Sequence, residues 1–350
     1  MVTSVSIAGR PVGPGAPCFV IAEAGVNHNG RLDVAKQLIE VAARAGADAV
    51  KFQTFRAERL ATANSPKAAY QRDTTNPEES QLEMLKRLEL SPHDHHVLMD
   101  TATAHHLLFL SSPFDEESAD LLASLDVPAF KVPSGELTNF PLLRHVARYG
   151  KPIILSTGMA TLEEVKAALR VIEAAGNREI VILHCVSNYP TAPADANLRA
   201  MTTMANILGV PVGYSDHTDG IEVALAAVAL GACVIEKHFT LDRSLVGPDH
   251  RASLEPMELT ALVRGIRTVE HALGHGRKEP APSEASTAAV ARKSLVSARD
   301  IQAGTPLTAS LITVKRPGTG LPPSMLEQLV GRRAVTDIPA DTLLTLEMVQ

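Results

Sequence analysis

Polar side chains recur at the C-terminal ends of short apolar runs: Glu23; Lys51 and Gln53; Lys131, Ser134 and Glu136; Ser156; His217; and Glu236 with His238. In a strand, residues two apart face the same side, so Lys51 shares a face with Gln53, and Glu236 with His238. Buried charges that neither pair nor bind a ligand are costly, so this many on apolar strands points to one shared pocket. His217 and His238 follow consecutive runs, and on neighbouring strands about 4.8 Å apart two imidazoles can share one divalent ion. Two protein ligands are too few for a closed structural zinc site and suit an open catalytic one. Lys51, Lys131, Ser134 and Ser156 supply two ammonium groups and two hydroxyls, the makings of an anion site. The Ser156-Thr157-Gly158 turn is expected to open a helix whose amides add to that site. A Schiff-base aldolase would also carry a strand lysine, but in a drier pocket, and it would leave the histidine pair without a role. His93, His95, His96, His105 and His106 lie on or beside one amphipathic stretch and are expected on a solvated face. His184, at the end of another run, is assigned to neither group.

These side chains need elements to hold them. Strand-like runs at 18–22, 49–53, 107–111, 129–132, 152–156, 180–184, 210–214 and 233–238 alternate with helical patterns such as 32–45, 162–175, 221–230 and 257–273. Eight strands, each with room for a return helix, predict a (β/α)8 TIM barrel, in which strand C-termini converge on one pocket. The stretch 54–79 is long for a connection and predicts a lid or rim over that pocket. A catalytic barrel is therefore expected over 1–275. A Gly-, Pro- and charge-rich linker follows over 276–290, and a small, mostly β domain over 291–350, with strand-like runs at 294–298 and 311–315.

Composition narrows the class. Of 350 residues, 45% are hydrophobic and 21% charged, enough to bury a sizeable core. The net charge of −6, with acids and bases interspersed, offers neither a nucleic-acid surface nor a polybasic membrane face. No apolar run approaches the roughly 18 residues needed to cross a bilayer, and the N-terminus has no signal-peptide pattern. Cys18, Cys185 and Cys233 are far apart, in or beside apolar runs, so buried thiols in a reducing cytoplasm are expected.

Longer motifs carry a resemblance. Ile21 to Gly30 (IAEAGVNHNG), Lys51 to Phe55 (KFQTF), Pro133 to Glu136 (PSGE), Leu155 to Met159 (LSTGM), Gly213 to Thr218 (GYSDHT) and Glu236 to Thr240 (EKHFT) resemble, in order, the sialic acid synthase family. The tail, with Lys315-Arg316-Pro317-Gly318, is similar to that family's antifreeze-like (SAF) domain.

The resemblance implies a transferase that condenses phosphoenolpyruvate, an open-chain N-acetylated amino sugar and water into a nine-carbon sialic-type acid and phosphate. His217 and His238 would bind Mn²⁺ or Mg²⁺. Lys51, Lys131, Ser134, Ser156 and Ser215 would surround phosphoenolpyruvate. Ser187 stands where some members place an asparagine near the phosphate. Glu23 and Glu136 would lie beside the reacting carbons, with Glu136 the first choice of base, and Gln53, Tyr189 and Asp249 would line the sugar side. Arg316 would reach the sugar's N-acetyl group from the partner subunit of a homodimer. Animal relatives that use a 6-phosphorylated sugar carry QNHQG, KFQKS and SGHE where this chain has VNHNG, KFQTF and SDHT, so an unphosphorylated sugar is expected. N-acetylmannosamine comes first, giving N-acetylneuraminate. A 2,4-diacetamido-2,4,6-trideoxymannose, giving legionaminic acid, is the alternative, signalled by Phe52, Phe55 and Glu79-Ser80-Gln81-Leu82-Glu83. Read by itself, the C-terminal module would suggest a non-catalytic ice-binding or interaction domain.

Overall fold

The computed structural model describes residues 3–350. Eight parallel strands, β3 (Phe19–Gly25), β4 (Ala49–Thr54), β5 (Leu108–Pro113), β6 (Phe130–Val132), β7 (Ile153–Ser156), β8 (Ile180–Cys185), β9 (Val212–Asp216) and β10 (Val234–His238), form one sheet. Its hydrogen-bonded order is β5-β4-β3-β10-β9-β8-β7-β6, and β5 lies alongside β6, which brings the ends of the sheet together into a barrel.

Period-two alternation builds two apolar layers. Phe19, Ile21, Ala49, Leu110, Ile154, Val181 and Leu183 point inward and fill the barrel. Val20, Val50, Phe52, Phe130, Ile182 and Ile235 point outward and pack under the helices. The N-terminal hairpin β1 (Val5–Ile7) and β2 (Arg10–Val12) was not read from the sequence. It sends Val5, Ile7 and Val12 into the inner layer. Helix Leu32–Ala45 buries Ala35, Leu38, Ile39 and Ala42 and stops at Gly46, whose φ of 79° turns its N–H back onto the Ala42 and Ala43 carbonyls.

The long connection after β4 contains helices Ala57–Leu60, Ala69–Thr74 and Gln81–Leu88. The buried Lys67 ammonium ties this rim together, donating to Thr75 Oγ1 (2.8 Å) and the Asn76 carbonyl and pairing with Glu79 (3.3 Å).

The chain divides into two compact units between Gly274 and His275. In the second, β11 (Ser294–Ser297) pairs antiparallel with β12 (Ile312–Lys315) over Leu295, Ile301, Leu307, Leu329, Ile338 and Leu344. The helix Ala285–Ala291 occupies part of the stretch expected to be linker, since Ala285, Ala288 and Ala289 are good helix formers there. No helix among the described residues is long and apolar enough to cross a membrane.

Candidate active site

The strand ends open into a cavity of about 470 Å³. On its floor four charged side chains, all nearly inaccessible, alternate in sign. Lys51 Nζ lies 2.7 Å from Glu23 and 3.8 Å from Glu236, while Lys131 Nζ lies 3.2 Å from Glu236. Strand register makes this cluster: Lys51 is the β4 partner of Glu23, and Glu23 is the β3 partner of His238. Burial raises the Glu23 carboxyl well above the ordinary range, and Lys51 only partly offsets that. Burial acts on Glu236 in the same direction, but there Lys131 and Lys51 together win and hold it down. Burial lowers Lys131, whereas Lys51 ends above its usual value because two carboxylates flank it.

Hydroxyls surround the lysines. Ser112 accepts a hydrogen bond from Lys51 (3.0 Å), and Ser215 donates to Glu236 (2.9 Å). Ser134 Oγ accepts from the Gly158 amide (2.9 Å) and lies 3.0 Å from the Cys185 thiol. A Cβ on Gly158 would fall 2.2 Å from Ser187 Oγ and 2.9 Å from Ser134 Oγ, so only glycine allows the three to converge. Ser156 Oγ is buried in the same place without a partner, and a buried hydroxyl left unpaired calls for a ligand.

On the opposite wall the His217 and His238 ring centroids are 5.5 Å apart. His217 Nδ1–H donates to the Val186 carbonyl (2.7 Å), which leaves the Nε2 lone pair available. His238 Nδ1 is buried without a hydrogen bond, 3.9 Å from Asp249 Oδ2. Burial lowers both imidazoles, His217 to about 4, and burial raises Asp249 to about 6 against the pull of Lys51. Two neutral imidazoles with free ring nitrogens are chemically suitable donors for a divalent ion that keeps open positions. Above them Tyr189 packs on His217 (4.2 Å between centroids), and Tyr70 from the rim stacks on Tyr189 (5.1 Å).

Of the residues singled out in the sequence, Glu23, Lys51, Gln53, Lys131, Ser134, Ser156, Ser187, Tyr189, Ser215, His217, His238 and Asp249 all line this one cavity. Glu136 is not among the lining residues: it sits in the short turn Ser134–Glu136, where Asn139 Nδ2 donates to its carboxylate (2.6 Å). Arg316 belongs to the second unit and is exposed.

Two expectations are corrected. The Ser156-Thr157-Gly158 turn does not open the helix, which begins at Leu162 with Thr161 as its cap. His95 is buried rather than solvated, with Nε2 2.8 Å from Thr54 Oγ1 and Nδ1 on the Ser91 carbonyl (2.9 Å), although His93, His96, His105 and His106 are exposed. Thr54 also meets Ser111 (2.6 Å), so this network clamps β4 to β5 directly behind Gln53 and Ser112. His184, left unassigned, faces away from the cavity and contacts the Ala196 carbonyl (2.8 Å). Glu236 joins the site as the hub of the charge cluster. Its shared face with His238 was visible in the sequence, but its partners were not. Tyr70, Gln71 and Met84 also line the cavity from the rim and carried no sequence signal of their own, and Gln81 joins them from the Glu79–Glu83 motif.

Residues 38–278 match the NeuB family, and residues 292–350 match the SAF domain. This chain belongs to the NeuB family. It is 47% identical over 345 residues to the N,N'-diacetyllegionaminic acid synthase of Legionella pneumophila, covering 97% of each chain. The corresponding synthase of Campylobacter jejuni is 48% identical over 328 residues, covering 93% of this chain and 98% of the other. Among solved structures, the N-acetylneuraminic acid (sialic acid) synthetase of Leptospira borgpetersenii, in complex with citrate, superposes with a TM-score of 0.73 at 36% identity. That match covers 82% of this chain and 95% of the other. As a NeuB-family synthase with an SAF domain, the protein condenses phosphoenolpyruvate with an amino sugar and forms a carbon–carbon bond.

Proposed function

We propose that the protein joins phosphoenolpyruvate to an open-chain 2,4-diacetamido-2,4,6-trideoxymannose, giving a legionaminic acid and phosphate. N-acetylmannosamine, the sugar ranked first from motifs, becomes the second reading, because relatives at 47% and 48% identity bear the legionaminic name. The observation that carries the reaction is a two-ended cavity. Lys51, Lys131, Ser134 and Ser156 gather at one end, and His217, His238, Asp249 and Tyr189 at the other, with Glu23 between them.

The lysines neutralise the carboxylate and phosphate of phosphoenolpyruvate, and the two seryl hydroxyls with the Gly158 region bind phosphate oxygens. His217 and His238 would hold Mn²⁺ or Mg²⁺. When bound, such an ion supplies Lewis-acid polarisation of the sugar's carbonyl oxygen. The enol carbon of phosphoenolpyruvate then bonds to the aldehyde carbon, and positive charge develops at the carbon bearing the phosphate. Water adds there, and Glu23 accepts one of its protons, which goes on to the oxygen of the former aldehyde. Glu23 is preferred to Glu136 because it lines the cavity and its raised carboxyl is suited to proton transfer near neutrality. The tetrahedral adduct collapses by C–O cleavage, and phosphate leaves with the bridging oxygen. Gln53, Tyr189 and Asp249 orient the sugar's amide and hydroxyl groups.

Purified protein with Mn²⁺, phosphoenolpyruvate labelled at the bridging oxygen and each sugar in turn tests this. Label is expected in phosphate, released faster with the trideoxy sugar. Label in the sugar acid would overturn the mechanism, and no phosphate release with either sugar would overturn the assignment.

Two further readings go with it. The buried thiols Cys18, Cys185 and Cys233 suit a reducing cytoplasm. In a homodimer, Arg316 would complete the partner's site. Mixing Arg316→Ala with Glu23→Gln chains should then restore up to roughly a quarter of wild-type activity, since half the dimers mix and each has one intact site.

A further inference from the structure

We propose that the rim end of the cavity is a methyl-reading subsite. Val26, Leu60, Met84, Leu85, Leu88 and Phe114 wall it, and it selects an uncharged sugar whose terminal carbon carries no hydroxyl. This rests on the synthase reading above and adds the residues that choose the sugar.

The wall is a built feature. Met84, Leu85 and Leu88 lie on the inner face of helix Gln81–Leu88 and are almost fully buried. The helix start is locked by Ser80, whose Oγ accepts from the Glu83 amide (3.2 Å) while the Glu83 carboxylate accepts from the Ser80 amide (2.8 Å). Val26 follows β3, and Phe114 follows β5 and meets Phe55 edge-on at 6.1 Å. With Ala57 and Phe55 these side chains form an apolar cluster separate from both barrel layers, and six of its members face the cavity.

Charge points the same way. Lys51 and Lys131 are the only lysine or arginine side chains lining the cavity among the described residues, and both lie on the floor beside Glu23 and Glu236, at the end given to phosphoenolpyruvate. Lys67, the cation buried within the rim, turns its ammonium onto Thr75, Asn76 and Glu79 and does not line the cavity. A phosphate on the far end of the sugar would therefore meet no counter-charge on this wall, and a hydroxyl would lose its water without gaining a partner on it. The polar groups nearest the wall, Tyr70, Gln71 and Gln81, are neutral and suit amide or hydroxyl groups further back along the sugar. In this proposal a sugar whose aldehyde is held at His217 and His238, with phosphoenolpyruvate filling the lysine end, would place its last carbon against this wall.

The test isolates one atom. With saturating phosphoenolpyruvate and Mn²⁺, phosphate release is measured for N-acetylmannosamine, its 6-deoxy analogue and its 6-phosphate. The 6-deoxy sugar is expected to have kcat/KM higher by about 10- to 100-fold, the usual discrimination of an apolar pocket against an added hydroxyl. The 6-phosphate should give no detectable turnover. Met84→Gln and, at the more accessible edge, Leu60→Gln should each bring the deoxy-to-hydroxy ratio to within about threefold of unity. Equal or better use of the 6-hydroxy sugar by the wild type would overturn the subsite while leaving the synthase reading standing, as would an unchanged ratio in both active variants. No release from any of the sugars, the diacetamido-trideoxy sugar included, would overturn both.

Discussion

Tyr70 reaches from the rim helix Ala69–Thr74 to stack on Tyr189 at 5.1 Å, and Tyr189 in turn packs on His217 at 4.2 Å. The rim is thereby coupled through two aromatic rings to the histidine end of the cavity. An aromatic pair contributes about 0.5–1.5 kcal/mol beyond its buried area, so Tyr70→Ala should raise the sugar KM by about 2- to 13-fold. The phosphoenolpyruvate KM should change by less than about twofold, since Tyr70 does not reach the lysines. Initial rates with each substrate varied separately decide this, and equal effects on both would disprove the coupling.

Removing the divalent ion should abolish turnover, and adding Mn²⁺ back should restore it. His217→Ala and His238→Ala should each lose stoichiometric Mn²⁺ binding in calorimetry while melting near the wild-type temperature. Retained tight binding in either variant would remove that histidine from the ligand set.

The two glutamates differ in setting and should differ in effect. Glu23→Gln removes a cavity-lining carboxylate paired with Lys51 and is expected to lower kcat by about 10²- to 10⁴-fold, the usual worth of a positioned base. Glu136→Gln keeps a carbonyl oxygen for Asn139 and should cost less than about tenfold. The opposite order would return the base to Glu136.

Stability should depend on a pair behind the site. Lys237 Nζ lies 2.6 Å from Asp216 Oδ2 and 2.5 Å from the Thr218 carbonyl, with Lys237 and Asp216 buried on the outer face of β10 and β9. Lys237→Ala would strand Asp216 without its countercharge, at a cost of about 3–5 kcal/mol in urea unfolding. Replacing both, as Lys237→Met with Asp216→Asn, should recover most of that loss. A single variant as stable as wild type would show that the pair contributes little.

The inward set was legible from the chain because it follows from local geometry alone. Alternation along β4 and β10 sends Lys51 and Gln53, and Glu236 and His238, to one side whatever the rest of the protein does. The eight-strand rhythm and the long stretch after β4 were legible for the same reason, since each is a run of neighbours. Contacts across the fold were not. His95 looks like its solvated neighbours along the sequence and is buried only because Thr54, 41 residues earlier and itself bonded to Ser111, meets it where two strands and a helix join. Glu136 and Glu23 are both carboxylates at strand ends. A turn three residues long diverts Glu136 to Asn139, while register with β4 sets Glu23 against Lys51. Lys237 alternates correctly to the outside, yet the need to neutralise it could not be read until β9 placed Asp216 beside it. Residue type and period determined which side chains face inward. Which of them pair, and which stay open to a ligand, depended on packing between distant segments, because Coulomb and hydrogen-bond energies act only over a few ångströms of real space.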